Sequence, residues 1–135
     1  MSLNDIERHT LVQLELDKAH EAFEDIEVLA SAGRWSGAAN RMYYAVFHAV
    51  NALLIHDSHP VNTHRGSHAI FSMYYIKTGV LPAECGRLYN NLQTLREESD
   101  YNCVFNATEA DIKEGIEPAR KLISSIESLI NEHKQ

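Results

Sequence analysis

The sequence predicts an all-α fold, an antiparallel up-and-down bundle of four to five helices. Three observations predict it. Apolar residues recur at spacings of three and four along most of the chain, and no segment sustains a two-residue alternation. Proline and glycine number only three and six in 135 residues and fall at the breaks. Hydrophobic residues make up 44% and charged residues 23%, a mix too apolar and too periodic for disorder. A chain of this length buries a core without metals or disulfides, and residues 1–135 read as one domain.

The first helix is expected from about Leu3 to Ala32, on the recurrence of Leu14, Ala19, Ala22, Phe23, Ile26, Leu29 and Ala30. Ser2 and Asp5 have capping-box spacing at its start, and Gly33 stops it. The second helix begins after Ser36 and runs to about His56; dense in Ala, Tyr, Val, Phe and Leu, it should be the most buried element. Asp57 to Thr63 is a loop, since Pro60 cannot sit inside a helix. Thr63 caps a third helix, His64 to Thr78, closed by Gly79. Pro82 suits the first turn of a fourth, which runs to about Glu98. Thr108 and Asp111 form a capping box for the last helix, where Ile112, Ile116, Ala119, Ile123, Ile126 and Ile130 step by 4, 3, 4, 3 and 4. Pro118 inside that stripe should kink the helix or move its start later.

The N-terminus carries Asp5 and Glu7 in place of a basic-then-apolar leader, and the longest apolar stretch, Ala45 to Ile55, is broken by His48 and Asn51. Neither secretion nor a membrane span is expected, and a cytoplasmic protein with Cys85 and Cys103 reduced fits best.

One constellation carries chemistry. Arg41 and His48 lie seven steps apart on the second helix, almost two full turns, so both project from one face about 10 Å apart along the axis. Tyr44 and Asn51 share the stripe. A polar line on an apolar helix needs a reason, because buried charge without partners is expensive. One reason is structural: Arg41 pairs with a carboxylate and His48 with a neighbouring hydroxyl. The other is a phosphodiester site, with His48 moving protons near neutrality and Arg41 stabilising the charged phosphorus centre. At that separation, a two-fold dimer would bring an Arg and a His of different copies onto one phosphate.

The string Arg41-Met-Tyr-Tyr-Ala-Val-Phe-His-Ala-Val-Asn-Ala-Leu-Leu54 resembles the second helix of small bacterial and archaeal HEPN domain proteins. The resemblance continues through Thr63-His-Arg-Gly66, Phe71, Lys77-Thr-Gly79, Leu95-Arg-Glu-Glu-Ser-Asp-Tyr101, and Ala119-Arg120. It implies a helical bundle, usually a homodimer, often encoded beside a minimal nucleotidyltransferase with which it forms a toxin–antitoxin pair. It also implies metal-independent RNA cleavage by an Arg, four to six intervening residues and then a His, so no cofactor is expected. Two places depart from the pattern. Met42 stands where a polar residue commonly follows the arginine, and Asp100 stands after Arg96 where many active relatives have histidine. Either Arg41 and His48 form the working pair, or the protein binds RNA, a nucleotide or a protein partner without cutting. On this resemblance Arg96, Asp100 and Tyr101 join the candidate binding residues, Tyr101 also as a target of nucleotide transfer.

His56, His59, His64 and His68 cluster, with His64 and His68 one turn apart, a spacing that can chelate zinc; a solvated loop is the simpler reading. Arg65 beside His64 could help hold phosphate. Tyr43, Tyr74, Tyr75 and Tyr89 read as core residues before base-stacking ones. The acidic face of the first helix, including Glu15, Asp17, Glu21, Glu24 and Asp25, reads as solvated or as a surface for a basic partner. The net charge of −7 and sequence pI of about 5.5 exclude a broad nucleic-acid-binding face. They do not exclude a local anion site, because residues 28–96 carry six basic and two acidic residues between acidic ends.

Overall fold

The computed structural model describes residues 3–61 and 63–132. Five α-helices account for most of them, α1 (Asp5–Ser31), α2 (Trp35–His56), α3 (His64–Phe71), α4 (Ala83–Tyr101) and α5 (Glu109–Glu132), and no strand occurs among the described residues. The four long helices alternate in direction. The α1–α2 link is only Ala32 to Arg34; Phe23 and His20 of α1 meet Arg120 and Glu127 of α5, and Asn40 of α2 meets Asp100 at the end of α4.

Local chemistry accounts for the boundaries. The expected cap at Ser2 lies outside the described residues. Asn4 caps α1: its side chain accepts from the Glu7 amide at 2.8 Å, and Glu7 returns the bond to the Asn4 amide at 2.9 Å. At its C-terminus the Arg34 amide reaches the Leu29 carbonyl and the Gly33 amide reaches Ala30, a Schellman closure that needs the left-handed backbone of Gly33, φ 71°. The same closure ends α2, with His59 to Leu54 and Ser58 to Ile55, but here the left-handed position, φ 66°, is held by Ser58. Thr63 caps α3 by accepting from the Gly66 amide at 2.8 Å, and Thr108 and Asp111 bond reciprocally at the start of α5.

Three expectations need correction. The third helix is not one element to Thr78: α3 ends at Phe71 and a π-helical turn, Ser72–Ile76, follows, in which the Lys77 amide reaches back five residues to Ser72. That wider turn carries Phe71 and Tyr75 into the core with rings 5.9 Å apart. Pro118 does not delay α5, because the Thr108 box sets the start a full nine residues earlier and packing of Ala119, Leu122 and Ile126 carries the helix onward. Leu14 is 54% exposed: the buried stripe of α1 is Val12, Leu16, Ala19, Ala22 and Ile26, and Leu14 lies about 200° around the helix from it.

α2 is the central element, packed by α1, α3, α4 and α5. Gly115 leaves room for the Met42 side chain of α2, since a Cβ there would stand 2.8 Å from the Met42 methyl. Between Asn40 and Asn51, only Asn40, Arg41, Tyr44, Phe47, His48 and Asn51 retain solvent access. The polar line of the second helix is therefore its one accessible stripe.

Candidate functional site

That stripe is flanked by the N-terminus of α3 and the C-terminal turns of α4, which bring His64 and Arg96, Asp100 and Tyr101 to Arg41, Tyr44 and His48. Arg41 pairs with no carboxylate among the described residues. Its Nε and one terminal nitrogen donate to the Asn40 side-chain oxygen at 3.0 and 2.7 Å, and its guanidinium lies 5.2 Å from the centre of the Tyr44 ring. Asn40 is oriented in turn by donating to Asp100 at 3.0 Å, so an α4 carboxylate aims a neutral oxygen at Arg41 without neutralising it.

His48 meets a carboxylate, not the expected hydroxyl, among the described residues. Its Nδ1 donates to the Glu15 carboxylate of α1 at 3.1 Å, with both side chains about a quarter exposed. That bond holds the imidazole and leaves Nε2 as the ring atom that can take or give a proton. Arg96 is buried, 8% exposed, beneath three rings: its guanidinium carbon lies 4.7 Å from Tyr43, 5.7 Å from Tyr44 and 5.9 Å from Tyr101. Its contact with Asp100 is long, 3.9 Å, and its Nε has no hydrogen-bond partner among the described residues. Tyr44 thus has two guanidinium groups within 6 Å of its ring centre.

His64 closes the group. Its ring stacks on Phe47 at 4.2 Å and 8°, and its Nδ1 shares a hydrogen bond with the Tyr43 hydroxyl at 2.9 Å. Burial, and then the charge of Arg96 and the proximity of His48, lower its pKa from the ordinary imidazole value. Burial raises the Tyr43 phenol against the opposing pull of Arg96. The arrangement offers two permanent cations, a held imidazole and aromatic faces at one place, the equipment for a phosphate with an adjacent base.

Not every candidate joins this group. Asn51 accepts from the buried Ser67 hydroxyl at 2.9 Å, a contact that ties α3 to α2. Arg65 is exposed, and no hydrogen bond or ion pair joins it to the cluster among the described residues. Tyr101 is 77% exposed and lies at the rim. The remaining histidines are separately engaged, His68 with Gln93, His56 with Asp57 and His59 against Tyr74, and no three metal-ligating side chains gather among the described residues. Tyr43, Tyr75 and Tyr89 are core, whereas Tyr74 is half-exposed. No helix among the described residues is long and apolar enough to cross a membrane.

Glu15, Asn40 and Phe47 escape a reading of the sequence. Glu15 is one of several acidic residues on α1; the signal that separates it is its position between Val12 and Leu16, at the edge of the buried stripe. Asn40 and Phe47 border Arg41 and His48 by one step, and only the tertiary partners show their part.

Comparison with known proteins follows the same lines. The HEPN domain family matches residues 12–129. A Thermotoga maritima protein named "UPF0332 protein" is 31% identical over 129 residues, covering 96% of this chain and 98% of that one. A Methanocaldococcus jannaschii protein named "Putative toxin" is 26% identical over 121 residues, 90% of each chain. A second protein of that organism with the same designation is 29% identical over 90 residues, 67% of this chain and 61% of its own.

Proposed function

Because the chain belongs to the HEPN domain family, we propose that it is an RNA-engaging protein of toxin type whose site is the stripe of Arg41, Tyr44 and His48 with Arg96 and His64. The observation that carries this reading is the pairing of His48 with Glu15 on the same stripe as Arg41, a guanidinium whose hydrogen-bond acceptor among the described residues is an amide oxygen. In cleavage, a ribose 2′-hydroxyl loses its proton to an imidazole and its oxygen attacks the adjacent phosphorus. The bond to the 5′-oxygen breaks, and that oxygen takes a proton. His48 Nε2 is the proton-transfer atom, Glu15 positions it and stabilises the imidazolium, and Arg41 stabilises the phosphorane charge. About 10 Å of helix separates Arg41 from His48, so a two-fold homodimer supplies the arginine from one copy and the histidine from the other. No metal takes part in this reading.

The test is cleavage of a structured RNA pool in EDTA by wild type, His48→Ala and Arg41→Ala. Wild-type cutting with loss in both variants is the expected result. Equal activity in wild type and His48→Ala removes the catalytic assignment, and failure of the wild type to bind RNA removes the reading altogether. A monomer by light scattering at micromolar concentration would undo the composite site.

One observation favours a second reading. Asp100, where the resemblance looks for histidine, orients Asn40 and faces Arg96, which suits a surface that binds without cutting. Such a module would dock a minimal nucleotidyltransferase; a stable complex with that partner and no RNase activity selects it.

A further inference from the structure

The C-terminal end of α2 borders a cavity, about 13 Å along the helix axis from His48. It encloses about 250 Å³ and is floored by Leu53 and Leu129. Three rings form its walls: His59 lies 4.5 Å from Tyr74 and 6.1 Å, edge-on, from Tyr75. Asp57 supplies the carboxylate. One of its oxygens accepts from His56 Nδ1 at 2.9 Å and the other from the Tyr75 hydroxyl, which fixes the group while leaving it a third exposed.

We propose that this cavity binds an aliphatic ammonium ion. Aromatic faces attract a cation through their quadrupoles, most strongly where the ion is partly desolvated. A carboxylate already held in place keeps unused lone pairs for a further N–H donor. The leucine floor suits a short methylene stem, and the volume falls below that of pockets for drug-sized ligands. Asp57 repels phosphate, so this site and the α2 stripe select ligands of opposite charge. Two features of the fold assemble it: the left-handed Ser58 places Asp57 and His59 on either side of one tight turn, and the π-helical turn presents Tyr74 and Tyr75 together. Tyr74 is 48% exposed, so the core does not require its ring.

The ammonium can come from a free polyamine or from the lysine of a docked protein, and one titration separates them. Isotope-labelled protein is titrated at pH 8 with n-butylammonium, 1-butanol, 1,4-diaminobutane and a capped lysine peptide, following the ring resonances of His59, Tyr74 and Tyr75. Butylammonium is expected to bind at least about tenfold more tightly than its neutral isostere. Tyr74→Leu should weaken it about threefold to tenfold, the loss of ~0.7–1.4 kcal/mol. Asp57→Asn, which keeps an acceptor for Tyr75, should weaken it at least as much. Tighter binding of the diamine identifies a free polyamine, and tighter binding of the peptide identifies a protein lysine. Equal shifts with butanol, or unchanged affinity in Tyr74→Leu, overturn the proposal.

Discussion

Arg41→Met tests the anion site by charge. The substitution keeps the aliphatic stem against Tyr44 and removes the guanidinium. Three interactions are lost, two half-buried hydrogen bonds to the one Asn40 oxygen and a cation–π contact at 5.2 Å. Together they stabilise the fold by ~1–2 kcal/mol, so melting should fall by roughly 4–8 °C and leave a folded protein. RNA binding should suffer more. A charge-assisted bond to phosphate contributes ~1.5–3 kcal/mol, a loss of about tenfold or more in affinity. The decisive reading is the salt dependence. Each phosphate neutralised on a single strand adds about 0.7 to the slope of log affinity against log salt, so between 50 and 200 mM the wild type should lose roughly 2.6-fold more affinity than the variant. If a two-fold dimer places both arginines on one RNA, that factor becomes roughly sevenfold. Fluorescence anisotropy with a labelled single-stranded RNA at four salt concentrations measures it. Parallel lines for wild type and Arg41→Met would refute a phosphate contact at Arg41, and Arg41→Lys, which keeps the charge, should restore the wild-type slope.

Three further outcomes follow from the geometry. Ser58→Gly should stabilise the protein by ~0.5–1 kcal/mol, because glycine removes the side-chain clash of the left-handed turn; an unchanged or lower urea midpoint would show that the serine side chain offsets it. The lowered pKa of His64 means that the unfolded chain binds its proton first as pH falls below about 6.5, so this contribution is fully present above that pH and lost below it. The urea midpoint should therefore drop less between pH 7.5 and 5.5 in His64→Gln than in wild type, and equal drops would contradict the assignment. Ile126→Ala, at a fully buried position, should cost ~2–5 kcal/mol, whereas Leu14→Ala, at an exposed one, should stay within about 0.5 kcal/mol by the same denaturation assay.

Leu14 and Ile126 also mark where the sequence is legible. The stripe of α5 can be read because its isoleucines keep one phase over five steps, and all but the half-buried Ile116 are buried where that phase places them. On α1 two of the five buried positions are small alanines, and Leu14, as hydrophobic as the buried Leu16, misleads any reading weighted by hydrophobicity. Arg41, Tyr44 and His48 are legible as a group because one helix sets their spacing. The contributions of Glu15, Asp100 and His64 depend on which helices meet α2, and spacing along one helix carries none of that. Asn51 shares the stripe and still leaves the site, because Ser67 of α3 takes its oxygen. The π-helical turn and the left-handed Ser58 break local preference, and tertiary packing of Phe71 and Tyr75 supplies the compensation.

The burial of α2 on almost every side has a consequence for control. A helix whose neighbours are all core opens only when the whole molecule does, so its amides should be among the slowest to exchange with deuterium. The residues it displays are consequently preorganised, with no hinge or lid of their own among the described elements. An inhibitor of this site gains nothing by deforming it. On the proposed function, silencing would come from occlusion, by a partner that covers the stripe or by a group attached at its rim.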